Sequence, residues 1–384
     1  MRAVYKNRCI VSTKLSRFVY ALVSLQCRTI VTIFLVLIQP QSHGVTRIFL
    51  SALIITRNRP DWLERCVRSL GRAWQKDGNT GLRILVFVNG PDPESVSRLE
   101  ALRPEWGALL DIRHSGRALS PAEARNRLLA SVEASSDWIY FVDDDAFVPE
   151  SHFANFRTAL EKFPSAAAIG GPNLAPESTG KFQRASDVVF TSFAGTFHSH
   201  VRYAPRGGEA RPCSEASLIL CNLFVRRDQL GSRPFPERFV CAEENALLHE
   251  LHARGLELIY SPMLFNWHER RPDLRQLLQQ AYNYGRGRGQ FIHRHPDGFR
   301  IPHVVPGCAV IYSAYAVVRL AMTGSVPASW SALLLLYAAV SGFAGAASKE
   351  GPWWGATLFP LVHSAYGIGV FHGLIFDRTR ATAA

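Results

Sequence analysis

Three consecutive carboxylates, Asp143, Asp144 and Asp145, directly follow the apolar run Trp138–Val142. A buried strand that ends in three like charges is costly unless a cation offsets their repulsion. Hard divalent cations such as Mg2+ and Mn2+ prefer carboxylate oxygens as ligands. The alternative is a turn of solvated aspartates, which is a common use of this residue type. The surrounding sequence favours the first interpretation, a divalent-metal site at the end of this strand.

The carboxylates belong to a repeating pattern of strands and helices. The apolar runs Phe49–Ile55 and Leu82–Val88 predict two further buried strands, each followed by a helical or turn signal. Strands that alternate with helices indicate an α/β fold with a mainly parallel sheet, which binds ligands at the carboxyl ends of its strands. Thr56, Asn89 and Asp143 stand at such ends. The other predicted elements are helices over residues 121–132, 151–163 and 243–254, strands over 216–225 and 256–260, and a substrate-covering insertion over 173–215.

Several short motifs occur in the order found in one enzyme family. Residues 48–295 resemble a family 2 glycosyltransferase with the GT-A fold, a Rossmann-like α/β domain with helices on both faces of its sheet. The matching pieces are, in chain order, the first-strand motif Ile54–Pro60, the triplet Ala124-Arg125-Asn126, the Asp143–Asp145 form of the DXD motif, Gly170-Gly171, the acidic element Ala242–Asn245 and His268. Each motif alone is a weak signal, whereas the ordered set is specific.

The resemblance implies a nucleotide-sugar donor and a divalent metal cofactor, Mn2+ or Mg2+. Asp145, Asp143 and His268 would hold the metal, which would act as a Lewis acid for the departing diphosphate. The residues expected to contact the donor are Thr56, Arg57, Asn58, Asn89, Arg125, Asn126, Asp143, Asp144, Gly170 and Gly171. The alternatives are an ordinary surface or core histidine at 268, a solvated helical face at 125–126 and a plain turn at 170–171.

The acidic element also offers a general base. An inverting transfer needs a group that takes the acceptor hydroxyl proton as the oxygen attacks the anomeric carbon. Glu244 matches the family's base position and Glu243 is its neighbour. The family more often has Asp there, and the extra methylene of Glu leaves the choice between the two open. A structural role as negative charge at a helix N-terminus is the alternative.

The last quarter of the chain is strongly apolar. Residues 304–323, 329–347 and 354–376 are nearly free of charge, and each approaches the roughly 20 residues that a helix needs to cross hydrocarbon. Pro306 and Arg319 interrupt the first segment, so we expect it to lie along the membrane interface and the other two to form a spanning hairpin. A hairpin returns the basic C-terminus to the cytoplasm, as the positive-inside rule favours, and we expect the catalytic domain on the same side.

The chain therefore divides into a basic and apolar segment over 1–47 of unknown role, a GT-A domain over 48–295 and a membrane region over 296–384. Arg286 and Arg288 lie between glycines where the last two parts join. We expect them to contact a diphosphate or a lipid phosphate, and a basic linker that flanks the membrane is the equal alternative. Seven cysteines without close pairs indicate free thiols in a reducing compartment.

Charge and motifs also limit the function. The formal net charge of +12 raises nucleic acid as a partner, but the arginines flank apolar spans and do not interleave with a stacking surface, so we expect none. The sequence predicts an inverting, metal-dependent glycosyltransferase at the cytoplasmic face of a membrane. It would move a single sugar to a glycan or lipid-linked acceptor in polysaccharide or glycolipid biosynthesis, because the Gln-x-x-Arg-Trp pattern of processive relatives is missing. The alternatives are a nucleotidyltransferase, which normally has a glycine-rich loop after its first strand, and a membrane-bound sugar-binding protein without turnover.

Overall fold

The structure is a computed structural model that describes residues 48–78, 80–204, 207–346 and 351–377. The predicted segment over 1–47 lies outside the described residues. The strands are β1 (Ile48–Thr56), β2 (Thr80–Val88), β3 (Leu110–His114), β4 (Trp138–Val142), β5 (Ala146–Phe147), β6 (Ala168–Gly170), β7 (Asn173–Leu174), β8 (Arg211–Pro212), β9 (Asn222–Arg226), β10 (Leu258–Tyr260) and β11 (Asn266–His268). The helices are α1 (Pro60–Asp77), α2 (Pro93–Ala101), α3 (Arg103–Trp106), α4 (Pro121–Leu129), α5 (His152–Lys162), α6 (Lys181–Thr191), α7 (Phe193–Thr196), α8 (Glu244–Ala253), α9 (Leu274–Arg294), α10 (Val305–Thr323), α11 (Ala328–Ala346) and α12 (Pro352–Ile375).

Eight of the strands form one sheet in the order β3-β2-β1-β4-β9-β6-β10-β8. The pairs β1–β2, β1–β4 and β2–β3 are all parallel, as the sequence predicts. Strand β9 is antiparallel to both β4 and β6, and β10 pairs parallel with β6, so the sheet is mixed. Thr56 at the end of β1 pairs with Val88 at the end of β2, and β4 ends nearby at Val142. The polar residues that follow these strands therefore lie along one edge of the sheet.

Helices cover both faces of this sheet. Helices α1 and α5 pack on one face, where Leu63 and Phe156 belong to one buried apolar cluster. Helix α4 packs on the other face, where Leu128 belongs to a second cluster. Because side chains alternate along a strand, Ile54 of β1 lies in the first cluster and Leu53 in the second. This two-sided burial explains why the predicted strands are continuous apolar runs.

A smaller sheet completes the edge that carries the acidic residues. Its strand order is β5-β11-β7, with β11 antiparallel to β5 and parallel to β7. In this register His268 of β11 lies opposite Ala146, the residue that follows the three aspartates. The small sheet therefore brings a late segment of the chain to the turn after β4. From the sequence, His268 was expected after the last strand, whereas in the structure it is the last residue of strand β11.

Other predicted elements also differ from the structure. The strand predicted over 216–225 begins only at Asn222, because Arg202 donates hydrogen bonds to the carbonyl oxygens of Glu215 and Ala216 and holds that backbone outside the sheet. The insertion over 173–215 contains the helices α6 and α7, which the sequence did not predict. The arginine- and glycine-rich junction, for which a basic linker was one of two alternatives, lies in the interior of the 21-residue helix α9.

Three described helices, α10, α11 and α12, are long and apolar enough to cross a membrane. Large apolar side chains such as Leu335 and Phe343 of α11 are exposed on their surface. Helix α12 is the common partner of the group, because it packs against α9, α10 and α11. The assignment of residues 304–323 to the interface and of the other two segments to a spanning hairpin stays a prediction.

Candidate active site

The acidic turn after β4 is held by the end of β1 and the start of α1. The Thr56 hydroxyl donates a 2.8 Å hydrogen bond to Asp144 Oδ2. One guanidinium nitrogen of Arg59 lies 3.1 Å from Asp144 Oδ1 and 3.0 Å from Asp145 Oδ2. Both carboxylates are buried, Asp144 with 4% and Asp145 with 2% of its surface exposed. Arg59 was not singled out from the sequence, although it stands inside the first-strand motif.

His268 contacts the same turn from the other side. Its Nε2 atom lies 3.0 Å from Asp145 Oδ1 and 3.8 Å from Asp143 Oδ2, and Arg271 approaches Asp145 Oδ2 to 3.7 Å. Burial opposes ionisation of Asp145, but His268 and Arg59 hold its pKa well below its usual range. Burial and the neighbouring charge of Asp145 raise the pKa of Asp144 to about 7. Burial lowers the pKa of His268, but Asp145 and Asp143 outweigh it and raise that pKa to about 9.

These side chains fit a divalent metal. An octahedral ion with bonds of about 2.1 Å has neighbouring ligand atoms about 3.0 Å apart. That spacing matches the 3.0 Å between Asp145 Oδ1 and His268 Nε2. Asp143, Cys221 and His268 also place one ligand atom each within 4.8 Å of one another. Cys221 was not predicted from the sequence to be a ligand. The carboxylate oxygens among these donors suit Mn2+ or Mg2+.

Arg125 joins this turn to the second acidic element. It lies on α4 and donates from Nη2 to Asp143 Oδ1 at 3.2 Å and from Nη1 to Glu243 Oε1. Burial would lower the pKa of Arg125, but Glu243 and Asp143 raise it above its ordinary value, so the guanidinium stays charged. The two acidic motifs, which are a hundred positions apart in the sequence, therefore line one site. The predicted contact of Arg125 with the nucleotide stays a prediction.

Glu243 and Glu244 stand where the chain enters α8. Both are buried, with 3% and 7% of their surface exposed. Ala242 before them has a φ of 62°, a left-handed conformation that non-glycine residues rarely adopt. Among the residues that the structure describes, the cation paired with Glu244 is Arg202, whose Nη1 lies 3.9 Å from Glu244 Oε1. Burial raises the pKa of Glu244 above its ordinary value.

Two predicted donor-binding residues, Asn89 and Asn126, hold loops beside the site. The Asn89 amide donates to the Leu119 carbonyl at 3.0 Å and accepts from the Leu119 N–H at 2.8 Å. The Asn126 amide donates to the Phe235 carbonyl at 2.8 Å and accepts from the Phe235 N–H at 3.1 Å. Each side chain thus pairs with both backbone groups of one residue. Their predicted contact with the nucleotide stays a prediction.

The turn after β1 carries the predicted residues Arg57 and Asn58. Arg57 is exposed, and Asn58 has a φ of 56°. The Asn58 N–H donates a 2.6 Å hydrogen bond to Asp92 Oδ2, and the other oxygen of Asp92 accepts from the Ser95 N–H at 3.1 Å as the N-cap of α2. Asp92 therefore ties the ends of β1 and β2 together. An aspartate directly before Pro93 is the sequence signal that would have identified this cap.

The predicted donor loop at Gly170 and Gly171 lies against the chain's own backbone. A Cβ atom at Gly171 would fall well inside 3.0 Å of the carbonyl oxygens of Ser261 and Leu264. A Cβ atom at Gly170 would lie 2.8 Å from the Asn222 carbonyl oxygen. The close approach that we expected for the donor sugar is therefore made by neighbouring strands and loops, and a contact with the donor stays a prediction.

The two arginines expected to contact a phosphate already have protein partners. Arg286 forms a bidentate pair with Asp377, in which Nη2 donates to Oδ1 at 2.7 Å. Arg288 donates from Nη2 to Asn245 Oδ1 at 2.9 Å. Both lie on α9, so the first links α9 to the end of α12 and the second links it to α8. The predicted contact with a diphosphate or lipid phosphate stays a prediction.

A mixed sheet with an acidic turn at one edge, a histidine facing that turn and a second acidic pair beside it are the features expected of a glycosyltransferase with the GT-A fold. Residues 51–230 match the sequence family described as Glycosyl transferase family 2. The match confirms the resemblance over these residues.

The chain is also similar to curated relatives and to solved structures. The Pre-mycofactocin glycosyltransferase of Mycobacterium tuberculosis is 27% identical over 276 residues, which cover 68% of this chain and 51% of the relative. The chain thus spans about half the length of the curated relatives it matches. A solved mannosyltransferase, PcManGT from Pyrobaculum calidifontis in complex with GDP-Man and Mn2+, is 17% identical with a TM-score of 0.59 over 86% of this chain and 87% of that one. Its similarity confirms the GT-A fold. The structure of TarS from S. aureus is 11% identical with a TM-score of 0.47, over 85% of this chain and 91% of that one.

Proposed function

We propose that the chain is an inverting, metal-dependent glycosyltransferase that moves a single sugar from a nucleotide-sugar donor to a glycan or lipid-linked acceptor. The observation that carries the proposal is the bridge made by Arg125, which holds Asp143 and Glu243 at one site. A displacement at the anomeric carbon needs charge stabilisation for the leaving diphosphate and a base for the attacking hydroxyl within a single pocket. The acidic turn Asp143–Asp145 would provide the charge stabilisation, and the acidic element Ala242–Asn245 would provide the base.

The acidic turn is assigned to the donor. Asp145, Asp143 and His268 would hold Mn2+ or Mg2+, and the bound cation would supply Lewis-acid stabilisation of the diphosphate. Arg59 and Arg271 add positive charge at the same turn, within 3.0 Å and 3.7 Å of Asp145 Oδ2. The presence of GDP-Man and Mn2+ in the PcManGT complex supports this class of donor and this kind of ion.

Glu244 is assigned as the general base in preference to Glu243. Glu243 accepts a hydrogen bond from Arg125, so one of its carboxylate oxygens is already engaged by the protein. Glu244 lies 3.9 Å from Arg202, and burial raises the pKa of Glu244. A carboxylate with a raised pKa takes a proton more readily, which suits general-base catalysis. Glu243 would then hold Arg125 in place.

The C-terminal helices are assigned to the membrane. We propose a multi-pass arrangement with the GT-A domain at the cytoplasmic face, where an acceptor with a lipid tail would reach the site in polysaccharide or glycolipid biosynthesis. The length and apolar character of α10, α11 and α12 support membrane association. Protease protection of tags placed in the α10–α11 connection and at the C-terminus tests the orientation, because a spanning hairpin over α11 and α12 leaves both tags on the side of the catalytic domain, whereas three spans would place both on the opposite side.

A thermal-shift screen of sugar nucleotides tests the donor site. The full-length chain in detergent is heated with each nucleotide class, with and without Mn2+, as wild type, Asp145→Asn and the control Asp111→Asn. Asp111 pairs with Arg113 on the surface strand β3, away from the acidic turn. We expect one nucleotide class to stabilise the wild type and the control only with Mn2+, and this shift to vanish in Asp145→Asn. Equal shifts in all three proteins would refute metal-bridged donor binding.

A further inference from the structure

Helix α9 contacts the second acidic element on one side and the helix α12 on the other. The glycines in its Gly-Arg-Gly-Arg-Gly stretch, together with Gln290, make these contacts. We propose that α9 is a positioning element for Glu243 and Glu244, acting through Gly287 and Gln290. The inference rests on the proposed assignment of Glu244 as the base. Neither residue would touch the substrate in this role.

Gly287 lies directly against the segment that leads into the acidic pair. A Cβ atom there would fall well inside 3.0 Å of the Cys241 carbonyl oxygen and 3.4 Å from the Ala242 Cβ. Ala242 is the residue with the left-handed backbone, and it turns the chain into α8. Even a methyl group at Gly287 would therefore press on the backbone that sets the direction of Glu243 and Glu244.

Gln290 holds the same segment by hydrogen bonds. Its Oε1 accepts from the Val240 N–H at 3.0 Å, and its Nε2 donates to the Arg238 carbonyl at 3.3 Å and to Asp377 Oδ2 at 3.2 Å. The Gln290 side chain is buried, with 3% of the residue's surface exposed. Two residues earlier, Arg288 donates a hydrogen bond to Asn245 on the other side of the acidic pair. The same helix therefore fixes the chain both before and after Glu243 and Glu244.

The opposite side of α9 is closely packed against α12. A Cβ atom at Gly285 or Gly289 would overlap the carbonyl oxygens of Tyr366 or Val370 on α12. The reciprocal glycines of α12, Gly369 and Gly373, meet the carbonyl oxygens of Tyr282 and Arg286 on α9. Glycines four residues apart on both helices allow this close approach. Because α12 backs α9, a side chain at Gly287 would displace the loop and not the helix.

Kinetics of two variants test the proposal in the full-length chain in detergent. Gly287→Ala pushes on the loop, and Gln290→Met removes its hydrogen bonds at a similar side-chain length. The matched control is Gln279→Leu on the same helix, whose side chain bonds only Asn283 among the described residues. Turnover is the Mn2+-dependent hydrolysis of the sugar nucleotide that the screen above selects, and donor affinity is measured separately by titration.

We expect kcat to fall at least about tenfold in both variants while donor affinity stays within about threefold, because a misplacement of about 1 Å costs up to a hundredfold in rate. The control should match the wild type in both. Unchanged kcat in both variants would overturn the proposal, and so would equal losses of kcat and donor affinity, which would make α9 merely structural. Glu244→Gln separates the two claims. If it keeps its activity the base assignment fails, whereas an inactive Glu244→Gln beside fully active α9 variants refutes only the positioning role.

Discussion

Binding of Mn2+ to the acidic turn should release protons in an amount that the structure sets. Without a metal, the pKa of His268 is about 9 and that of Asp144 is about 7. A histidine that ligates a metal must be neutral, and a nearby cation favours the ionised carboxylate, so metal binding drives both groups to lose their protons. The test perturbation is His268→Asn, which removes the larger source of protons at alkaline pH.

The magnitudes follow from the two pKa values. At pH 8 a group with a pKa of about 9 is about nine-tenths protonated and one with a pKa of about 7 is about one-tenth protonated, so the wild type should release about one proton for each Mn2+ bound. At pH 6 both groups are almost fully protonated, and the release should approach about two protons. His268→Asn should release about one proton fewer at either pH.

Isothermal titration calorimetry provides the measurement. Mn2+ is titrated into the full-length protein in buffers that differ in ionisation enthalpy, and the slope of the observed enthalpy against that enthalpy gives the number of protons released. Asp111→Asn serves as the control for a change of charge elsewhere on the domain. Equal proton release by the wild type and His268→Asn at pH 8 would refute His268 as a ligand and would weaken the proposed metal site.

Three further outcomes follow from other contacts. Glu244→Gln should lower kcat by about 10²- to 10⁴-fold without lowering Tm, because burial already disfavours the charged carboxylate. The pH profile of the residual activity should no longer show a carboxyl pKa above the ordinary Glu value. A clearly lower Tm would contradict this account of Glu244. Asn126→Ala should cost about 1 to 3 kcal/mol in denaturant unfolding, because it leaves the buried N–H of Phe235 without a partner, and an unchanged midpoint would argue against the amide as a loop support. Gly171→Ala should lower the free energy of unfolding by about 1 to 3 kcal/mol, because the new methyl group overlaps two carbonyl oxygens. The control Gly116→Ala should change it very little, because Gly116 has open space around it. Equal losses in the two variants would contradict the packing argument.

The sheet edge could be predicted because strand ends are local features of the sequence. An apolar run of strand length that stops at Thr56 or before Asp143 marks both the strand and the rim residue. The structure accordingly places Thr56 in hydrogen-bond contact with Asp144, and His268 beside Asp145. The family motifs supplied the order of these pieces. The sequence could therefore anticipate which side chains gather at the edge.

The partners of the charged and amide side chains could not be predicted in the same way. Arg125 contacts Glu243, which is 118 positions away, and Asn58 contacts Asp92 at the N-cap of α2. No periodicity within either segment encodes such a pairing, because it depends on how the helices and loops pack on the sheet. The bonds that Asn89 and Asn126 make to backbone groups of neighbouring loops were likewise not predicted, and their contacts with the nucleotide stay predictions.

Helix α9 shows the same limit at the level of a whole element. Each glycine inside a helix costs about 1 kcal/mol relative to alanine, so Gly285, Gly287 and Gly289 together oppose helix formation by about 3 kcal/mol. Local propensity therefore gives no signal for a helix here, and a basic linker was one of the two alternatives that the sequence left open. The structure offsets this cost because the same glycines remove the side chains that would keep α9 away from α12 and from the Cys241 backbone. The residues that weaken α9 in isolation are those that allow its packing, so the helix depends on contacts with partners that its own sequence does not contain.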